Sequence, residues 1–158
     1  MIKLGIYSLT CDEGCLVYFL EFLNSRYSEF FKKYEIADSK SLGKSSEKVD
    51  VALVEGCIST EKELEEIKEI RKKCKFLVAL GSCACSGSPS NWRNFFNQAQ
   101  LDKISSHIKK YKYLEKSLNL KAVVEVDFEV PGCPFLDSKL LDVFKKLEEK
   151  YAENKRFS

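Results

Sequence analysis

The sequence has almost no net charge: 26 Lys and Arg face 24 Asp and Glu, leaving +2 over 158 residues. The global field that draws a protein onto nucleic acid is missing, so no nucleic-acid partner is expected. No apolar stretch approaches the ~18 residues of a membrane-spanning helix, so direct insertion into a bilayer is not expected either. The opening MIKLGIYSLT runs straight into a strand-like pattern and lacks a signal-peptide layout, which points to a cytoplasmic chain. Internal repeats and low-complexity linkers are absent, and the polar stretch DSKSLGKSSEK at 38–48 reads as a surface loop. With 44% hydrophobic residues, the length suits one domain over 1–158. Histidine is nearly absent too: His107, in SSHIKKYKY, reads as a surface side chain.

Cysteine is what the chain has in excess, seven residues and an odd number. Without a secretory context a disulfide framework is disfavoured, and metal binding is the better reading.

Hydrophobic periodicity places these cysteines in a fold. Residues 2–8 read as a strand, and Leu16, Phe19, Leu20, Leu23, Tyr27 and Phe30 keep helical spacing from Cys15 to Lys33. A weak strand follows at Tyr34–Ala37, then a buried-type strand at Val49–Val54. The next helix opens with Thr60 and Glu63 in capping-box spacing and carries Leu64, Ile67 and Ile70. Phe76–Leu80 reads as a strand buried on both faces, and the Gly/Ser/Pro-containing segment after it as a loop. Leu101, Ile104, Ile108, Leu114 and Leu118 predict one further helix, Ala122–Val130 a strand, and Leu140, Leu141, Phe144 and Leu147 a last helix. Alternating strands and helices imply an α/β fold, doubly wound around a mostly parallel, flavodoxin-like sheet.

In such a sheet the site lies outside the carboxyl ends of the strands. Cys11 and Cys15 follow the first strand, Cys57 follows the third, Cys83 and Cys85 the fourth, and Cys133 the last. Six of the seven thiols thus collect at one edge, with Gly14, Gly81 and Gly132 giving the backbone freedom to converge. Structural zinc ordinarily uses paired short-spaced ligands, which this chain lacks. Four thiolates from separate loops suit a [4Fe–4S] cluster better. Cys74, beyond Ile70, reads as a core residue. Trp92, Phe95 and Phe96 read either as core filling or as aromatics that cover the site or anchor a partner. The lysine-rich segment Lys103–Lys121 is a solvated face that could also guide an acidic redox partner.

Four stretches, GIYSLTCDEGC, DVALVEGCIST, LVALGSCACSGSPSNWRN and VDFEVPGCPF, occur in order over residues 2–136. Together they resemble the small subunit of nickel–iron hydrogenases, in its short single-cluster form, whose fold is shared by the cluster-bearing relay subunit of respiratory complex I. The resemblance implies that Cys15, Cys83 and Cys133 hold one proximal [4Fe–4S] cluster with Cys11 as fourth ligand. The family spaces its first pair as Cys-x-x-Cys, whereas CDEGC has three residues between them, which leaves Cys57 as the alternative fourth ligand. Complex I subunits carry adjacent cysteines at this place and this chain has none, which favours the hydrogenase side. Implied with it are a large subunit holding the nickel–iron centre, further redox subunits, and an oxidoreductase activity belonging to the complex. Cys57 and Cys85 stand as additional thiols near the site, and Glu13 and Glu55 as carboxylates that could tune the cluster or move protons. The alternative is a complex I-like relay or a non-catalytic metal-binding scaffold; a flavodoxin is disfavoured because a cysteine loop stands where a phosphate-binding loop is expected.

Overall fold

The computed structural model describes residues 1–156. Five parallel strands form the central sheet: β1 (Ile2–Ser8), β2 (Tyr34–Ser39), β3 (Val49–Glu55), β5 (Cys74–Leu80) and β7 (Phe128–Val130), in the order β2-β1-β3-β5-β7. Counting within this sheet, that is the 2-1-3-4-5 order of a flavodoxin-like fold, with its switch point between β1 and β3. A small antiparallel pair, β4 (Ile58–Thr60) with β6 (Tyr113–Leu118), lies beside it.

Strand alternation assigns the layers. Ile2, Leu4, Ile6, Val51, Leu53, Phe76, Val78 and Leu80 face one core. It is covered by α1 (Gly14–Ser25), α2 (Tyr27–Lys33) and α6 (Asp137–Arg156) through Phe19, Phe22, Phe30, Leu140, Phe144 and Leu147. Tyr7, Ala52, Val54, Leu77 and Ala79 face the other core, under Ile67 and Ile70 of α3 (Glu61–Lys73). Side chains such as these stabilise the fold by roughly 1.5–3 kcal/mol each when fully buried. β3 is buried at every residue, as a central parallel strand should be.

Caps set the helix boundaries. Thr60 accepts from the Glu63 amide while Glu63 accepts from the Thr60 amide, the predicted capping box. Asn97 and Gln100 build a second one at the start of α5 (Gln98–Lys110). The predicted helix over 15–33 is two helices, broken at Arg26, whose backbone (φ −126°, ψ 22°) leaves helical space. The predicted helix through Leu118 ends at Lys110: Lys112 turns left-handed (φ 52°) and Tyr113–Leu118 then pairs with β4. The predicted strand at 122–130 shrinks to Phe128–Val130, because Leu120–Ala122 forms a 3-10 turn and only the last three residues continue the ladder with β5. In place of the predicted loop after β5, Gly81–Ser86 forms the short helix α4.

Candidate functional site

At the switch point the chain leaves β1 and is tied directly to the end of β3. The Leu9 amide donates to the Glu55 carbonyl, and Thr10 and Cys57 exchange amide-to-carbonyl bonds of 3.1 and 2.9 Å. Gly56 makes this approach feasible: a Cβ there would meet Leu9 carbonyl carbon at 2.7 Å, and its φ is +87°. The Cys11–Cys15 loop therefore stands beside Cys57 by backbone pairing alone.

The loop from Cys11 to Cys15 turns on Glu13, which is left-handed (φ 60°). Gly14, expected to relax this turn, is not; its amide donates to Asp12 Oδ1 instead. Glu13 itself is exposed, and its amide donates to Cys11 Sγ at 3.4 Å. Cys15 opens α1 and packs its sulfur on Gly81, where an added Cβ would lie 2.4 Å away. The same sulfur is 3.9 Å from the Gly132 carbonyl, which also accepts from the Ser82 amide. Gly81 and Gly132 both have positive φ (86° and 137°), so the loops after β5 and β7 can close on Cys15 without side-chain obstruction.

Cys83, on α4, lies 3.2 Å from Ser90 Oγ, and Cys133 is exposed beside its cis bond to Pro134. Cys11, Cys15 and Cys83 are half-buried, and none of the seven cysteines forms a disulfide. Burial pushes the Cys15 thiol up to about 12, aided by the nearby Glu55, Cys133 and Cys83. Burial likewise takes Cys11 to about 11, opposed by Ser8 and the Glu13 amide and reinforced by Glu55 and Cys83. Cys11 and Cys15 thus sit where a thiolate forms readily only with positive charge beside it, as iron would supply, and Cys83 and Cys133 are among their electrostatic neighbours. Among the described residues no three His, Cys, Asp or Glu side chains gather tightly enough to hold one metal ion. The convergence is that of the loops after β5 and β7 closing on Cys15. Its all-thiol donor set fits an iron–sulfur core.

Cys57, beside the Cys11–Cys15 loop, is fully buried with its sulfur 3.4 Å from Ser59 Oγ; burial raises its thiol, opposed by the Ser59 hydroxyl and reinforced by Cys83 and Glu63. Cys85 packs towards the α3-side core with its sulfur 3.5 Å from the Ala79 carbonyl. Burial and Glu129, not another cysteine, raise it to about 11. Cys74 is buried, though as the first residue of β5 rather than on the helix face. Glu55 is the buried carboxylate of the site: it accepts from Ser8 Oγ and from the Leu16 amide, both at 2.9 Å, so it joins β1 to the start of α1. Burial raises its carboxyl, against the hydrogen bonds from Ser8, Leu16 and Cys11. Trp92 (71% exposed) and Phe95 (73%) are solvent-facing, which removes core filling for both, while Phe96 is half-buried. His107 is exposed on α5, as expected. Of the lysine-rich 103–121 segment, only the part up to Lys110 is helical. Sequence reasoning missed Ser90, whose hydroxyl touches Cys83; the SGSPS run carries no signal that would single it out.

The chain is similar to known proteins. The chain is 36% identical over 156 residues to "Sulfhydrogenase 2 subunit delta" of Pyrococcus furiosus, covering 93% of this chain and 64% of that one. It is 32% identical over 142 residues to "Coenzyme F420 hydrogenase subunit gamma" of Methanosarcina barkeri, covering 84% of this chain and 49% of that one. It therefore spans about half to two thirds of the length of these curated relatives. A crystal structure of an NAD+-reducing nickel–iron hydrogenase in its H2-reduced state matches the fold with a TM-score of 0.72 at 23% identity, over 84% of this chain and 83% of that one. No helix of the described residues is long and apolar enough to cross a membrane. The model of the family described as "NADH ubiquinone oxidoreductase, 20 Kd subunit" matches residues 11–147, most of the length and all four cysteine-bearing loops, and the chain belongs to that family.

Proposed function

We propose that the chain is the electron-transfer small subunit of a nickel–iron-hydrogenase-type complex, cytoplasmic, holding one [4Fe–4S] cluster through Cys11, Cys15, Cys83 and Cys133. The observation that carries this is the meeting of half-buried and exposed thiols from the loops after β1, β5 and β7 at the switch-point rim. When bound, the cluster supplies a one-electron redox centre whose potential the surroundings tune, in a range of roughly −700 to +450 mV. The chain's own residues position and bias it. Gly81 leaves room for the Cys15 sulfur, the Glu13 amide donates towards Cys11, and Ser90 reaches Cys83. Hydrogen bonds of this kind to ligand sulfur stabilise negative charge there.

In this reading the bond-breaking step on hydrogen belongs to a large subunit with the nickel–iron centre, and further redox subunits accept the electrons. The relatives named as sulfhydrogenase and coenzyme F420 hydrogenase subunits support that pairing. This reading takes Cys11 rather than Cys57 as the fourth ligand, because the Cys57 sulfur is fully buried and engaged with Ser59. Anaerobic purification of the chain, alone and with a co-expressed large subunit, tests the proposal. About four iron and four sulfide per chain and a reducible cluster spectrum are expected, lost in Cys15→Ser, Cys83→Ser and Cys133→Ser and retained in Cys57→Ser and Cys85→Ser. A colourless protein containing zinc would instead identify a metal-binding scaffold.

A further inference from the structure

Near the thiol rim lies an open cavity of about 330 Å³, bounded by the β4–β6 pair, α5 and the segment from Ser90 to Arg93. Thr10, Ser59, Ser90, Ser117 and Tyr113 line it with Arg93 and His107, and no carboxylate does. Arg93 is fixed in place: Nη1 donates to the carbonyls of Leu114 and Glu115, both at 2.8 Å, and Nη2 to Ser117 Oγ at 3.4 Å. Its guanidinium stands 5.5 Å over the Tyr113 ring.

Three of the five guanidinium N–H groups are thereby engaged, by neutral acceptors only. Among the described residues Arg93 has no ion pair, unlike Arg26 and Arg71. The carboxylate closest in the hydrogen-bond network is Glu63, whose oxygens already accept from Thr10 and Thr60 hydroxyls and from the Ser59 and Thr60 amides. A rigidly held, unpaired guanidinium with spare donors, surrounded by hydroxyls, is a recognition site for a planar or tetrahedral oxyanion. The cavity is at the small end of ligand sites, which run roughly 300–1,000 Å³. That size excludes a dinucleotide and admits a phosphate or its monoester.

We propose that this cavity binds a small phosphate, as the free ion or as a phosphate monoester, with Arg93 as its anchor and His107 at the exposed lip. The site is separate from the thiol ligands, although Ser90 touches both Cys83 and the cavity. Calorimetric titration of the full chain with inorganic phosphate and with phenyl phosphate, at constant ionic strength in chloride, tests it. The fluorescence of Trp92, the chain's only tryptophan and Arg93's neighbour, gives a parallel readout.

Saturable binding of one or both is expected, tighter for phenyl phosphate if the natural ligand is an ester and tighter for phosphate if it is the ion. Arg93→Gln is expected to weaken it at least about tenfold. Because that change also cuts three bonds to β6, His107→Glu serves as an independent variant: the position is exposed, so folding is unaffected, and the new carboxylate repels the anion by a similar factor. Absence of saturable binding in the wild type, or equal binding in the wild type and His107→Glu, overturns the proposal. Neither measurement needs iron in the chain, so the outcome is independent of the electron-transfer reading.

Discussion

Gly81 shows how a single residue decides whether this site can exist. It has φ +86° and sits under the Cys15 sulfur, with room for a hydrogen and nothing larger. Gly81→Ala is expected to cost roughly 1–3 kcal/mol from the left-handed backbone alone, and to push the sulfur off the rim in addition. The expected result is a lowered thermal midpoint together with a fall in bound iron, measured on the same preparation. Full iron content at unchanged stability would remove Gly81 from the site. This residue was legible in the sequence as a glycine preceding a cysteine after a strand. Glu13 was not: nothing in CDEGC says that the left-handed turn falls on the glutamate and not on the glycine beside it, since Asp12 takes the Gly14 amide. Cys57 and Cys85 share the sequence positions of the proposed ligands; that the Cys57 sulfur is buried beside Ser59 and the Cys85 sulfur turns to the Ala79 carbonyl is not legible there.

Elements that follow strict periodicity were readable, and those whose identity depends on a distant partner were not. The capping box at Thr60 and the wholly buried β3 are local signals and appear where expected. β6 carries Leu114 and Leu118 four residues apart, a spacing that imitates a helix; pairing with β4 overrides it. At the amino ends of the strands, Asp50 of β3 joins four elements: it accepts from the Lys3 amide of β1 (2.9 Å), from Lys75 of β5 (2.8 Å) and from Tyr151 of α6 (3.4 Å). Burial works against its ionisation, yet the Lys3 amide, Lys75 and Tyr151 bring its carboxyl below the usual value. A lowered value means that its contribution is present above the unfolded pKa, about 3.9, and is lost as pH falls through the folded one. Asp50→Asn is expected to destabilise by about 1.5–3 kcal/mol near neutrality and to lose less stability than the wild type on acidification below about pH 4. Denaturant unfolding of both proteins between pH 3 and 7 measures this, and parallel pH curves would refute the assignment. In the core under α1, α2 and α6, Phe19 packs among Phe22, Phe30 and Phe144 with no solvent exposure. Phe19→Ala should cost roughly 3–5 kcal/mol, and an equilibrium unfolding midpoint close to that of the wild type would argue against this packing.

For the whole molecule, the informative feature is where the apolar surface lies. Val17 is 65% exposed two residues after Cys15, and Leu136 is 62% exposed three residues after Cys133. Both adjoin the thiol rim, and neither has a packing role in either core. Scattered exposed apolar residues need no explanation, but two that neighbour the proposed ligands in sequence do, because in the proposed function water at that rim would screen the redox centre. The electron-transfer reading supplies the explanation: a large subunit covers this rim, and Val17 and Leu136 become buried at the centre of the contact. Leu136→Asp is then expected to abolish co-purification with the large subunit while leaving the chain's own unfolding transition within about 0.5 kcal/mol, as for an ordinary surface change. Val17→Asp should behave alike, and a distant change such as Tyr27→Asp, on the α1–α2 side, should not. Pull-down from co-expressing cells combined with unfolding of each isolated chain separates the two effects. A stable complex formed by Leu136→Asp and Val17→Asp would move the interface elsewhere, and with it the route by which electrons reach the thiol rim.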